Sequence, residues 1–134
     1  MRQLIAVPAL LALATCVQGG DCRYEAPRQA TVDAKGAERV SIHAEAGSLE
    51  VLGTKGTQVK VDGRACASSE SRLEDIRLEA DRRGATVRVA ARIPESGAWN
   101  GSAALHLVVE VPSGLAVEVE DSSGSLKVVG VRSL

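Results

Sequence analysis

Two histidines, His43 and His106, are the side chains of this chain best suited to moving protons near neutral pH. Both fall in alternating stretches at positions opposite the apolar set, so each is expected to face solvent. The partners that would make either one catalytic are missing. There is no Gly-x-Ser-x-Gly elbow, no Ser-x-x-Lys and no metal-binding histidine pair. Asp75 with Glu79, and Asp81, could form an acid/base pair of carboxylates, but scattered acids on a charged β surface are ordinarily solvated. Glu120-Asp121-Ser122 offers oxygen ligands for calcium without the glycine-rich nonapeptide that usually accompanies them. The expectation is a non-enzyme with no catalytic residue, no metal and no cofactor.

The three cysteines carry more chemistry. Removing or lipidating Cys16 leaves one pair, Cys22 and Cys66, whereas a cut after Ala14 leaves an odd thiol. In an oxidising compartment such a pair is most simply a disulfide, closing a loop of roughly 45 residues for about 4 kcal/mol by chain entropy. Two buried free thiols are the alternative. A two-cysteine metal site fits less well, because neither histidine stands at ligand spacing from a cysteine.

The N-terminus supplies that compartment. Residues 1–19 read as a signal peptide, with Arg2, an apolar run over residues 4–14 and a short polar stretch ending at Gly19. The run is too short to span a membrane, so no transmembrane segment is expected. Cleavage after Gly19 leaves a mature domain over residues 20–134, periplasmic or secreted. The competing route is a lipoprotein signal, Leu13-Ala14-Thr15 before Cys16, with Cys16 as the lipidation candidate and an outer-membrane lipoprotein as the product. Thr15 is a poor match to the small residue usual there.

Composition limits the partners. The 134 residues are 45% apolar and 25% charged with a net charge of -1, ordinary for one globular domain. The basic residues are scattered, which leaves no electrostatic footprint for nucleic acid or an anionic membrane. With one Trp, one Tyr and no Phe, the core has to be aliphatic. Trp99 stands in a glycine-containing loop and is a candidate partner contact, although capping an aliphatic core is the commoner use of a lone tryptophan. Asn100-Gly101-Ser102 matches a glycosylation sequon, for which a tight turn is the better account in a chain with a bacterial-looking export signal.

Alternation defines the elements that would position these residues. Residues 22–35 read as an extended arm. Strands follow at 39–44, 49–51, 58–67, 76–80, 86–91, 103–111 and 115–120, with one helical turn at 68–75 and a hairpin at 81–84. A phrase recurs: Gly47-Ser48-Leu49-Glu50-Val51-Leu52-Gly53 and Gly124-Ser125-Leu126-Lys127-Val128-Val129-Gly130, each preceded by an alternating strand at the same offset. About eight short strands make the chain all-β, and leave an antiparallel sandwich and a β-solenoid both open, the repeat favouring the solenoid in the C-terminal part. A solenoid rung cannot cover its own open end, yet Leu134 follows soon after the second copy. Either the chain is truncated relative to its relatives, or another chain completes the edge over residues 126–134.

These features resemble the bacterial putative-adhesin domain of unknown function, a family of exported β-solenoid-like proteins. The resemblance covers residues 21–134. It rests on Cys22-Arg23-Tyr24-Glu25-Ala26-Pro27-Arg28, on Gly63-Arg64-Ala65-Cys66-Ala67-Ser68, and on a hairpin ending in Arg82-Arg83-Gly84. Trp99 ahead of the strand from Leu105 to Pro112, and Ser122-Ser123-Gly124-Ser125-Leu126, complete it. It implies pairing of Cys22 with Cys66 and an adhesive or structural role in the cell envelope. The partners then expected are cell-surface or envelope components, or a second copy joined through the C-terminal edge. A periplasmic ligand-binding module and a lipid-anchored envelope-stress component are the alternative functions.

Overall fold

The computed structural model describes residues 22–93, 102–121 and 126–130. The expected signal peptide, Cys16, Trp99 and the sequon asparagine lie outside the described residues, as does residue 131, read as the start of a further strand. The described elements are strands β1 (Tyr24–Asp33), β2 (Arg39–Ala44), β3 (Leu49–Thr54) and β4 (Gln58–Ala67), helix α1 (Glu70–Glu74), then β5 (Arg77–Arg83), β6 (Thr86–Arg92), β7 (Ala103–Pro112), β8 (Ala116–Asp121) and β9 (Leu126–Val129). The described residues are all-β apart from that one helical turn. Its N-cap is Ser69, whose hydroxyl accepts from the Arg72 N–H at 3.3 Å. No described helix is long and apolar enough to cross a membrane.

Two mixed sheets share one core. The five-stranded sheet runs β1-β4-β7-β3-β9 and the four-stranded sheet β5-β6-β2-β8. Period-2 alternation places Val40, Ile42, Leu49, Val51, Val87, Val89, Leu107 and Val109 inside, and all of them are buried. No buried polar or charged residue interrupts this core among the described residues. Stiff β-branched and aliphatic side chains fill the space between the sheets, which suits a chain without phenylalanine.

The repeated phrase determines how the sheets grow. In the four-stranded sheet β2 lies between β6 and β8, and in the five-stranded sheet β3 lies between β7 and β9, every one of these pairings being parallel. The two copies therefore stack in register: Val40 beside Val117, Ile42 beside Val119, Leu49 beside Leu126 and Val51 beside Val128. Gly130 settles on Gly53 of the other copy, where an added side chain would meet the Gly53 backbone at 3.5 Å. A purely antiparallel sandwich, one of the two architectures left open by the sequence, is excluded by these pairings.

The opposite end is wrapped. Residues 22–35, expected as an arm, instead form β1, which pairs with β4 along ten residues from Tyr24 opposite Ala67 to Asp33 opposite Gln58. The alternation of β1 is hard to read because its half-buried face sets the charged Arg28 among Ala26, Ala30 and Val32, and Pro27 interrupts it. Two arginines fasten this strand to the other sheet. Arg28 donates to the carbonyls of Leu73 and Ile76, both at 2.9 Å, and Arg82 donates to the carbonyls of Asp33 at 3.2 Å and Lys35 at 2.7 Å. Cys22 and Cys66 are joined by a disulfide with a Cα separation of 5.2 Å.

Candidate functional site

The outer face of the five-stranded sheet gathers one row of reactive side chains. The register sets Pro27, Arg64 and His106 side by side on β1, β4 and β7, and the corner residue Ser48 follows next to His106. Ser48 donates its backbone N–H to His106 Nδ1 at 3.0 Å, and its hydroxyl lies 3.1 Å from the same nitrogen. An accepting Nδ1 makes the ring neutral with its proton on Nε2. Around it lies a shallow hollow of about 320 Å³ lined by Ser48, Glu50, Asp62, Gly63, Arg64 and His106.

Ser48 beside a neutral imidazole is the closest approach to a nucleophile and base in the described structure. Its geometry serves the corner better than catalysis. The lone pair that would take the hydroxyl proton is already held by an immobile backbone N–H of the same residue. No carboxylate among the described residues bonds Nε2 to orient the ring, as a base in a triad would need. His106 thus closes the β2–β3 corner from the outer face of the sheet, where it is half-buried against Ser48.

This contact has a pH signature. Burial holds the imidazole below its ordinary value of 6.5, the Arg64 guanidinium pushes the same way, and Glu25 opposes them in part. Because the folded value lies below the unfolded one, the contribution to stability is fully present above 6.5 and is lost as pH falls from there through the folded value. The thermal midpoint is expected to drop on acidification across that window, with faster exchange of the Ser48 amide. In a His106→Gln variant, whose carboxamide oxygen accepts at any pH, the part of the slope due to this site should vanish. An unchanged slope would refute the assignment.

The outer face of the four-stranded sheet holds the other histidine. His43 Nδ1 meets Glu120 at 3.1 Å and Nε2 meets Glu45 at 3.2 Å. Each carboxylate takes a different edge of the ring, so the three groups diverge and do not present one coordination sphere. Ser41 and Ala90 floor a hollow of about 410 Å³ beside it, walled by Arg83, Arg88, Arg92, Glu79, Asp81 and Glu120. Three arginines against three carboxylates leave no net field to select an ion. Glu79 is engaged by Arg92 at 3.1 Å and Asp81 by Arg83 at 3.8 Å, so the carboxylates considered as an acid/base pair are exposed ion-pair members. Asp75 is the C-cap of α1, its N–H donating to the Arg72 carbonyl at 3.1 Å, and the next N–H, of Ile76, donates to the Leu73 carbonyl at 3.1 Å.

What alternation along the chain could not reveal is the contact between Ser48 and His106, which are 58 positions apart. The pairing of β3 with β7 creates it. Among the described residues, β8 and β9 each stand last in their sheet, bonded to β2 and to β3.

No protein-family model matches the chain, and no curated protein sequence does. Among solved structures, the chain is similar to the crystal structure of a putative cell adhesion protein from Clostridium sporogenes, with a TM-score of 0.54 at 13% identity. The match covers 82% of this chain and 54% of the other, so the chain spans about half the length of that neighbour. At this identity the likeness is one of fold.

Proposed function

We propose that this chain is an exported, non-enzymatic β domain of the cell envelope with a structural or adhesive role. The observation that carries the reading is the in-register parallel stacking of the two repeat copies, Leu49 beside Leu126 and Val51 beside Val128. Stacked strand–corner–strand units of this kind are how solenoid-type proteins extend a rigid binding surface. The reading is supported by the disulfide between Cys22 and Cys66, a bond at home outside the cytoplasm. It is also supported by the fold shared with a protein described as a putative cell adhesion protein, an argument by analogy. The two histidines, one closing a corner and one spread between two carboxylates, favour a scaffold over a catalyst.

An intact mass of the protein recovered from cell fractions tests the exported state. The expected result is loss of the first 19 residues, recovery outside the cytoplasm, and a gain of two hydrogens on reduction. A diacylglyceryl mass on Cys16 would replace this with the lipid-anchored alternative, and an uncut cytoplasmic thiol form would overturn the reading. Adhesion itself is tested by retention of the purified protein on whole-cell and envelope preparations. Hydrolysis of model esters or peptides lost in Ser48→Ala would overturn the non-enzymatic assignment.

A further inference from the structure

Two unengaged hydrogen-bond donors stand side by side on the outer face of the five-stranded sheet. Arg64 and His106 are direct partners across β4 and β7, so their side chains leave the sheet next to one another. The Ser48 backbone N–H can only donate, which makes His106 Nδ1 the acceptor and puts the ring proton on Nε2. Among the described residues no acceptor takes up that Nε2–H, and no carboxylate or carbonyl bonds the Arg64 guanidinium. The acids that line the same hollow are engaged elsewhere: Asp62 accepts from Gln29 at 3.2 Å, and Glu50 faces Lys127 at 3.7 Å. Burial and the Arg64 charge together hold the imidazole below its ordinary value against the smaller, opposing pull of Glu25 on β1. The charge felt at this spot is that of the cation.

Two residues along the same strands the chemistry reverses. The register sets Asp62 of β4, Val108 of β7 and Glu50 of β3 in one row, about 7 Å from the first by strand rise. Each carboxylate keeps lone pairs beyond the one contact it makes, and half-buried Val108 forms an apolar floor between them. Both rows line the hollow of about 320 Å³, and its strands are interior ones: β4 lies between β1 and β7, β7 between β4 and β3, and β3 between β7 and β9. A matching ligand carries one carboxylate at one end, hydroxyl donors at the other and an aliphatic C–H face between. A hexuronic acid has this layout. A phosphate ester matches less well, because one guanidinium and a neutral ring supply a single positive charge, and Asp62 and Glu50 oppose a second negative one. An acidic peptide brings the carboxylate without the cluster of hydroxyls.

We infer that this hollow binds uronic acid residues of an acidic polysaccharide. Arg64 and His106 Nε2–H hold the sugar carboxylate, the guanidinium through its two-pronged fork, while Asp62 and Glu50 accept from the ring hydroxyls over Val108. The inference deepens the adhesive reading, on which it rests for its biological meaning, by naming the surface and the class of polymer it would hold.

The test uses the purified oxidised protein, a trisaccharide of galacturonic acid, the methyl ester of that trisaccharide, and a capped peptide of three glutamates. The free acid should shift the His106 imidazole resonances and the amides of residues 62–64 and 106–108 saturably, and lose affinity as salt is raised. The ester keeps every ring hydroxyl but no charge, and should bind about tenfold more weakly, the loss of a charge-assisted pair. Arg64→Gln, a change to an exposed side chain whose folding the same spectrum reports, should weaken the free acid by a similar factor and leave the ester unchanged. Equal affinity for acid and ester, shifts confined to other strands, no shift at millimolar acid, or binding unmoved by Arg64→Gln would overturn the inference. So would a glutamate peptide that binds as tightly as the trisaccharide, or inorganic phosphate that displaces the trisaccharide at equal concentration. Binding of the trisaccharide by a protein that ignores every envelope preparation would sink the adhesive reading alone. Retention on envelopes that neither the trisaccharide nor Arg64→Gln reduces would sink the inference and spare that reading.

Discussion

Alanine at Gly47 is expected to cost about 3 kcal/mol or more of folding stability, a large part of what a domain of this size possesses. Two independent penalties fall on this one position. Its backbone has φ of +126°, a conformation in which a side chain is strained whatever the surrounding space. A Cβ built there would also overlap the carbonyl of Leu105, coming within 2.7 Å of its carbon. That carbonyl cannot step aside cheaply. The Leu105 N–H donates to the Ala46 carbonyl at 2.9 Å, and the Leu107 N–H donates to the Ser48 carbonyl at 2.8 Å, so β7 is clamped against the corner on either side of Gly47. Gly84 is the matched control. It too has positive φ, at +60°, but an added Cβ meets nothing within 4 Å, so alanine there should cost roughly 1 kcal/mol. Urea unfolding of the two variants measures the difference. Similar midpoints would show that the approach to Leu105 is relaxed at no cost, and that the corner is softer than its hydrogen bonds imply.

The contrast between these glycines marks how far sequence reasoning reaches. Gly47 and Gly84 both read as turn residues from their neighbours, yet only the pairing of distant strands shows that one of them touches a backbone. The same limit applies to the arm at residues 22–35. Local alternation was the signal for the other strands, and it is faint in β1, where Pro27 and an Arg28 set among small half-buried residues hide a ten-residue partnership with β4. By contrast, the repeat was fully visible. Identical spacing of Leu and Val after a glycine demands the same strand offset in each copy, and stacking like on like satisfies both copies at once. The order of the stack was not visible, because β2 and β3 precede in the chain the strands that flank them, β2 lying between β6 and β8 and β3 between β7 and β9. For the functional site the lesson is similar. The alternation places His43 and His106 on outer faces, but the neighbours that decide their chemistry, Glu120 and Ser48, are supplied by strand pairing across long separations.

Replacing both Cys22 and Cys66 with alanine is expected to lower stability by about 4 kcal/mol at most, the chain-entropy value for a cross-link spanning 44 positions. The loss should be uneven, because of where the bond sits. It ties the start of β1 beside the last turn of the β1–β4 ladder, and β1 is an edge strand whose outward side faces no neighbour in its sheet. The first residues of β1, Tyr24 to Arg28, bury little: Tyr24 is 42% exposed and the inward contacts gather further along, at Ala30 and Val32. Without the cross-link this outer end has only ladder hydrogen bonds and Arg28 to hold it, so it should fray before the core responds. Hydrogen exchange is then expected to accelerate first at the outer end of β1 and its partners on β4, while β2, β3 and β7 keep their protection. A reductant should reproduce the same pattern in the unmodified protein, which a damaged core from the substitutions would not. Uniform acceleration across both sheets would mean that β1 and the parallel stack unfold as one unit, and that the disulfide secures the whole domain and not its wrapped end alone.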